Sequence, residues 1–212
     1  NQAGAKKDID KAHIDLTHYA PITDAELSRI ETEANTVIRK KIPVRKRFLP
    51  RGDAEKAYGV AIYQGGAVPG KQLRIVEIEG LDVEACGGTH LNNTSEADRI
   101  KIVKSAKIKD GVVRITFTAG EAANALIRQE EHTVTETAKL LGCSPAQIPG
   151  RAAELFEKWK QAKKGKTVDA RLMSMAAYEG NVLVKTAEIL QTQPEHVVKT
   201  IQRFLHDVQN RK

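Results

Sequence analysis

Apolar and polar residues alternate along several segments in the first 120 residues, which is typical of strands with one buried face. The clearest runs are Ile14–Tyr19, Leu73–Glu79, Arg99–Ile108 and Gly111–Thr118. The segment Lys109–Gly111 lies between the last two runs and contains Asp-Gly, a strong turn signal. The pattern therefore predicts several strands, two of which form a hairpin.

Helical periodicity interrupts these strands. Thr23 and Glu26 have the spacing of a capping box, and apolar residues recur at helical spacing over Leu27–Ile38. Pro43–Leu49 then reads as an extended segment and Asp53–Gly59 as a short helix. Antiparallel strands covered by one or two helices predict an α+β domain over residues 1–120.

Residues 121–212 show long helical periods and few strand signals. The pattern predicts helices over Glu121–Leu141, from Ser144 to about Lys164, within Ala176–Gln191, and from Pro194 onward. Gly142 suits a helix C-terminus, and Ser144 followed by proline suits a helix start. We therefore expect an all-α helical domain with two helical hairpins after the α+β domain.

The helical half contains a short internal match. Thr137–Leu141 followed by Pro145 resembles Thr186–Leu190 followed by Pro194, at an offset of 49 residues. Duplication and chance similarity between helical hairpins both account for it. The hairpins have two ways to bury their apolar faces, within one chain or across a homodimer, and the sequence leaves both open.

The composition narrows the class of protein. The chain has 212 residues, of which 41% are hydrophobic and 29% charged, and a formal net charge of +7, which favours a folded protein with a polyanionic partner. Aromatic residues make up only 4%, which disfavours a platform that stacks single-stranded bases. Two cysteines exclude a disulfide scaffold and favour a reducing, cytoplasmic compartment. No apolar run reaches the roughly 18 residues of a membrane span.

One local motif suggests chemistry. Cys86 and His90 are separated by Gly87-Gly88-Thr89, so a thiol and an imidazole four residues apart could reach one metal ion. Zinc suits this pair of ligand types, although a closed site needs further ligands. A cysteine packed beside a loop histidine is the alternative. His13 and His18 lie five apart on a predicted strand, so they should face opposite sides.

A run of positive charge suggests contact with phosphates. Between residues 39 and 51 there are seven basic residues and no acidic one: Arg39, Lys40, Lys41, Arg45, Lys46, Arg47 and Arg51. Each Lys or Arg that contacts a phosphate releases a counterion, so such a run is suited to binding nucleic acid. An ordinary solvated surface is the alternative.

The segment Val83–His90 resembles the second metal-binding half of the editing domain of alanyl-tRNA synthetases, which free-standing alanyl-tRNA editing proteins share. Gln2–Ala5, Leu16–Tyr19 and the stretch from Gly111 to Ala122 resemble other parts of that domain, in the same order. The resemblance covers roughly residues 1–125 and is closest to the archaeal type.

This resemblance implies a site that hydrolyses tRNA(Ala) mischarged with serine or glycine. In the family, an upstream His-x-x-x-His pair and the downstream Cys and His hold zinc, so Cys86 and His90 are implied as two of four ligands. No His-x-x-x-His occurs in this chain, which we therefore expect to begin just after it. We expect Gln2 and Thr89 to be the catalytic polar side chains of the pocket, because a serine hydroxyl is recognised by polar partners.

The resemblance also implies a ligase family whose aminoacylation domain uses ATP. That domain is missing from this chain, so the chain alone is not expected to charge tRNA. The leading hypothesis is the editing region and adjoining tRNA-binding or dimerisation helices of an archaeal-type synthetase, with tRNA(Ala) as partner. A free-standing editing protein that acts in trans and a non-catalytic tRNA-binding module are the alternatives.

Overall fold

The computed structural model describes residues 2–63, 66 and 68–210. The chain divides into two compact units, Asn1–Leu126 and Ile127–Lys212. The strands are β1 (Gln2–Lys7), β2 (Ala12–Thr17), β3 (Val44–Pro50), β4 (Gln72–Ile78), β5 (Asp82–Ala85), β6 (Ile100–Lys109) and β7 (Val112–Ala119). The α-helices are α1 (Asp24–Arg39), α2 (Arg51–Tyr58), α3 (Gly120–Leu141), α4 (Ile148–Lys163), α5 (Val182–Leu190) and α6 (Val197–Gln209). Sheets followed by helices confirm the predicted fold class.

A four-stranded antiparallel sheet, in the order β1-β2-β7-β6, belongs to the first unit. Ile14 on β2 pairs with Ile115 on β7, and Ile115 is buried as the alternating pattern predicts. The hairpin between β6 and β7 turns at Gly111, whose φ of +71° favours glycine. The hydrophobic alternation therefore predicted β2, β6 and β7 correctly, whereas β1 was not predicted.

Helix α1 begins at the predicted capping box. The Thr23 hydroxyl accepts a hydrogen bond from the Glu26 N–H at 3.3 Å, and the Glu26 carboxylate accepts one from the Thr23 N–H at 2.8 Å. Farther along, the Asn35 side chain exchanges two hydrogen bonds with the backbone of Ile100, at 2.8 and 3.0 Å. Helix α1 therefore covers part of the outer edge of β6, where unpaired backbone groups would otherwise be exposed.

A second antiparallel sheet, in the order β3-β4-β5, has its own core. Leu73 and Ile75 of β4 are fully buried together with Ala54 of α2 and Ile62 of the short 3₁₀ helix Val60–Ile62. β4 and β3 agree with the predicted strand and extended segment, and α2 agrees with the predicted short helix. The four-residue β5 was not predicted.

The helical unit has a separate apolar core. Its fully buried residues include Ile148, Leu155, Val197, Ile201 and Phe204, contributed by α4 and α6. Within the part of the chain that the structure describes, no helix is both long and apolar enough to cross a membrane.

Residues 166–181 connect α4 to α5 without regular secondary structure. Val168 and Leu172 pack against the helical core. The Glu154 carboxylate accepts hydrogen bonds from the Met173 and Ser174 N–H groups, both at 2.7 Å. The helix expected within Ala176–Gln191 is therefore confined to α5, because the residues before Val182 have no regular secondary structure.

The two helical hairpins have the same local backbone at the offset of 49 residues. α3 and α5 end at Leu141 and Leu190, and the next residues, Gly142 and Gln191, both have positive φ, +61° and +54°. The 3₁₀ helices Pro145–Gln147 and Pro194–His196 follow, then α4 and α6. Hydrogen bonds repeat as well, since Cys143 N–H donates to Ala138 O at 3.1 Å and Thr192 N–H to Ala187 O at 2.9 Å. The short sequence match therefore corresponds to a repeated helix–turn–helix unit.

Candidate functional site

Cys86 and His90 lie in the loop that follows β5. The Cys86 N–H donates to the Arg74 carbonyl oxygen at 3.0 Å, which extends the pairing of β4 and β5 by one residue. The chain then turns through Gly87 and Gly88. A Cβ built on Gly88 would lie 3.6 Å from both Cys86 Sγ and His90 Cε1. The loop thus brings the thiol and the imidazole to the same glycine.

Arg74, on β4, fixes the shape of this loop. Its Nη1 donates to the carbonyl oxygens of Cys86 at 2.7 Å and of Gly88 at 2.9 Å. Hydrogen bonds from a charged donor are stronger than neutral ones, so two of them from one nitrogen hold both ends of the turn. Sequence reasoning missed Arg74. The available signal was a charged residue between Leu73 and Ile75, which are both buried.

The surroundings of His90 favour a neutral ring. Burial lowers the pKa of His90, and the positive charges of Arg74, Lys7 and Lys46 lower it further, against an opposing hydrogen bond with Gly88. His90 Nδ1 lies 2.9 Å from the Gly88 carbonyl oxygen, which accepts the proton of that nitrogen. Arg74 Nη1 also lies 3.3 Å from His90 Nδ1, but the contact with the carbonyl oxygen is shorter and that oxygen can only accept, which favours the tautomer in which Nε2 keeps a free lone pair.

A thiol and a neutral imidazole on one turn are a suitable pair of zinc ligands. A metal-bound histidine commonly donates its other ring N–H to a backbone carbonyl, as His90 does to Gly88. Among the described residues, no group of three or more His, Cys, Asp or Glu side chains is placed to hold a metal ion. Cys86 and His90 therefore fit as two ligands of a site that needs others.

Two carboxylates lie immediately before the loop, on one face of β5. Burial raises the pKa of Glu84, and the neighbouring charge and hydrogen bond of Asp82 raise it further, whereas Lys7 opposes the shift. Glu84 is therefore protonated more easily than an ordinary glutamate. Asp82 and Glu84 are two residues apart on a strand and therefore lie on one face. This spacing is visible in the sequence, but the sequence analysis did not identify the pair.

The structure places the two expected pocket residues on different elements. Thr89 is exposed within the Cys86–His90 loop, whereas Gln2 is half-buried at the start of β1. Lys7, which influences His90, is at the other end of β1, about 16 Å away along an extended strand. Gln2 and Thr89 remain predictions as pocket residues.

The basic run occupies the end of α1, the following turn, β3 and the first residue of α2. On β3, Arg45 and Arg47 are exposed and contact Glu79 and Glu77 at 3.0 and 3.1 Å. Lys46 alternates to the opposite face of β3, where its Nζ lies 2.6 Å from the Asn92 side-chain oxygen. The pleat of β3 therefore divides this run between two faces.

The remaining basic residues of the run differ in exposure. Arg39, Lys40 and Lys41 are exposed at the end of α1. Arg51 instead donates to the carbonyl oxygen of Gly70 at 3.0 Å and to the Tyr63 hydroxyl at 2.9 Å. The guanidinium of Arg51 thus stabilises the fold and is the least suited of the seven to contact a phosphate.

Two surface cavities of the first unit contain other histidines. His13 lines a cavity of about 360 Å³ on the four-stranded sheet. His18 lines one of about 370 Å³ between the end of β2 and α1. The two histidines open onto different cavities, in agreement with their expected separation. In the helical unit Cys143 is half-buried against the core, and burial raises the pKa of its thiol.

Comparison with known proteins finds one family model that matches part of the first unit. The family model described as the threonyl and alanyl tRNA synthetase second additional domain matches residues 73–116. The matched segment contains β4 from Leu73 onward, β5, the Cys86–His90 loop, β6 and the first part of β7.

Similarity to whole proteins is more specific and extends through the helical unit. The alanine–tRNA ligase of Methanopyrus kandleri is 40% identical over 218 aligned residues, which cover 99% of this chain and 24% of that protein. The alanine–tRNA ligase of Methanocella arvoryzae is 46% identical over 173 residues, covering 81% of this chain and 20% of that protein. The chain belongs to the alanine–tRNA ligase family, in agreement with the resemblance to the archaeal type. It spans about a quarter or less of the length of these relatives.

Proposed function

We propose that this chain supplies the editing region of an alanine–tRNA ligase and hydrolyses tRNA(Ala) mischarged with serine or glycine. The observation that carries the proposal is the Cys86–His90 loop, in which Arg74 fixes the turn and His90 keeps a free Nε2. The family match over this loop supports the assignment. Hydrolysis of an aminoacyl ester is the reaction that such a site would serve.

Zinc is the cofactor that the loop would bind, through the Cys86 thiolate and His90 Nε2 together with ligands from outside the loop. When bound, zinc would polarise the ester carbonyl or bind the attacking water. Arg74 would keep both ligands in place through its hydrogen bonds to the carbonyl oxygens of Cys86 and Gly88. This role resembles that of outer partners in other metal sites, whose loss costs about 10–100-fold in affinity or activity.

The polar residues of the loop would distinguish the substrate. Thr89 is exposed beside His90, where its hydroxyl would bind the serine hydroxyl that alanine lacks. Glu84, whose pKa is raised by burial, would hold or release a proton near the ester. Gln2 would contact the substrate when β1 and the Cys86–His90 loop both bind the aminoacyl end of the tRNA.

The tRNA itself would be bound by the cations of the basic run: the exposed Arg39, Lys40, Lys41, Arg45 and Arg47, and the half-buried Lys46. Each phosphate contact adds affinity that decreases with salt. The helical unit would add tRNA-binding or dimerisation contacts, and the exposed Lys164 and Lys166 after α4 are candidates for phosphate contact. We propose a cytoplasmic protein that acts on tRNA(Ala).

The similarity to synthetases supports this proposal over a free-standing editing protein, because it includes the helical unit. A non-catalytic tRNA-binding module is the other alternative. The experiment below distinguishes it, because such a module would not depend on Cys86.

The test is release of serine from Ser-tRNA(Ala) by the natural protein that carries this sequence. Cys86→Ala should slow deacylation by at least the ~10–100-fold caused by losing an outer partner of a metal site. It should also lower the bound zinc. Cys143→Ala is the matched control, since Cys143 lies in the helical unit, and it should leave the rate unchanged. Equal rates for the natural protein and Cys86→Ala would reject the proposal.

A further inference from the structure

A row of polar side chains crosses all four strands of the β1-β2-β7-β6 sheet. Lys6 on β1 pairs with His13 on β2, His13 pairs with Thr116 on β7, and Thr116 pairs with Lys104 on β6. Residues paired directly across strands point to the same face of a sheet. This cross-strand row therefore has a lysine on each edge strand, with an imidazole and a hydroxyl between them.

The adjacent row on the same face explains why this surface is open. Asp15 and Arg114 occupy its centre and form a two-pronged ion pair at 2.7 and 2.9 Å. Gly4 and Ala106 occupy its two ends, where they leave little or no side chain. The ion pair makes the centre of this second row rigid and electrically neutral. The small residues at its two ends rise little above the sheet, so the lysines of the cross-strand row lie beside open space.

The resulting cavity of about 360 Å³ is basic. Ten residues line it, of which four are Lys or Arg and only one, Asp8, is acidic. Asp8 lies 3.8 Å from Lys6. Within the described residues, Lys11 and Lys104 form no ion pair with a carboxylate, and both are exposed. Lysines without a carboxylate partner on an open surface are suited to an anionic ligand.

The spread of the charges indicates what kind of anion. Neighbouring strands are about 4.8 Å apart, so the backbones that carry Lys6 and Lys104 are separated by about 14 Å. That distance suits successive phosphates of a chain better than a single phosphate group. The cavity is lined by no aromatic side chain, so bases would not stack there. These features favour contact with a sugar–phosphate backbone.

We propose that this sheet face binds the phosphate backbone of the tRNA through Lys6, Lys11 and Lys104. The inference rests on the function proposed above, which supplies the tRNA, and adds a second contact surface to the basic run of residues 39–51. The basic run lies beside the other sheet, and its Arg45 and Arg47 already contact carboxylates. His13 and Thr116 would add hydrogen bonds between the two outer lysines.

The test is the salt dependence of tRNA(Ala) binding by this 212-residue chain. Lys6→Gln/Lys104→Gln should reduce the slope of log K against log salt by about 1.4–1.8 and weaken binding about 10-fold at low salt, because each lost phosphate contact removes about 0.7–0.9 from the slope. An unrelated tRNA should lose as much, since backbone contacts do not read sequence. Lys6→Arg/Lys104→Arg should preserve the slope.

Lys56→Gln/Lys71→Gln is the matched control, because it removes the same charge from exposed positions outside this sheet. An equal loss in this control would overturn the inference, since total charge would then explain it. A wild-type salt slope in Lys6→Gln/Lys104→Gln would also overturn the inference. If the chain without substitutions binds tRNA in the same experiment, the proposed function still stands. If the 212-residue chain without substitutions binds no tRNA, the inference fails, whereas the proposed function is decided separately by the release of serine from Ser-tRNA(Ala).

Discussion

At the scale of single residues, the Cys86–His90 loop depends on a side chain from another strand. Arg74 is 16 residues away from His90 in the chain, yet its guanidinium bonds to both carbonyl oxygens of the turn. Its charge also helps to lower the pKa of His90. The motif identifies the two candidate ligands, whereas Arg74 accounts for their shared position.

Asp15 provides a test of pH dependence at this scale. The hydrogen bonds from Arg114 hold the pKa of Asp15 below its ordinary value. The unfolded chain therefore takes up a proton more readily, and the free energy of unfolding should fall as pH drops below about 4 and through the folded pKa. Asp15→Asn should be less stable near neutral pH and should lose this part of the acid dependence. Urea unfolding at a series of pH values measures both effects.

Asp10→Asn is the matched control for that measurement, because Asp10 is exposed in the turn between β1 and β2. It should retain the acid dependence of the natural chain. An Asp15→Asn curve that runs parallel to the natural one at all pH values would contradict the role given to the Arg114 ion pair.

At the scale of elements, strands were predicted correctly where their apolar and polar residues alternate clearly. In β4 and β7 the alternation matches burial, since Leu73 and Ile75 of β4 and Val113 and Ile115 of β7 are buried. β1 and β5 were missed; both are edge strands, as are β6 and β3, which were predicted. An edge strand pairs on one side only, and β1 consists of Gln, Ala, Gly and Lys, which are poor strand formers. Its partner strand, more than its own residues, therefore makes β1 extended.

The repeated hairpin allows a test of backbone strain at the scale of elements. Gly142 and Gln191 occupy equivalent positions with positive φ, but only glycine adopts that conformation without strain. Gly142→Ala should destabilise the chain by about 1 kcal/mol. Gln191→Gly should stabilise it by roughly 0.5 kcal/mol, since relief of strain exceeds the added chain entropy. Chemical unfolding of the three proteins gives these differences.

Gln193→Gly is the control, because Gln193 is in the same turn at an ordinary φ of −93°. It should not stabilise the chain, since glycine relieves no strain there. If Gln191→Gly were as unfavourable as Gln193→Gly, the two turns would not share the backbone described above.

At the scale of the whole molecule, each unit has its own core. The cluster around Leu73 and Ile75 lies entirely in the first unit, and the cluster that contains Leu155 and Phe204 lies entirely in the second. The sequence predicted a change of architecture after residue 120. In the structure α3 begins at Gly120, and the division between the units falls within this helix, between Leu126 and Ile127.

Separate cores predict separate folding. A fragment of residues 127–212 should be helical and should unfold cooperatively, because it retains every buried residue of its cluster. Circular dichroism at increasing urea concentration measures this. Leu155→Ala in the same fragment should lose about 2–5 kcal/mol, since Leu155 is fully buried. A fragment without a cooperative transition would show that its core needs the first unit.

The sequence alone determined the features that depend on neighbouring residues. These are the alternation of the central strands, the capping box of α1, the turns at Gly111 and Gly142, and the close spacing of Cys86 and His90. Tertiary structure decided which distant groups meet: Arg74 with the loop, and Lys6 and Lys104 on one sheet face. It also divided the basic run between two faces of β3. The reason is physical, because local conformation follows from adjacent side chains, whereas strand order and register bring together residues that the chain keeps far apart.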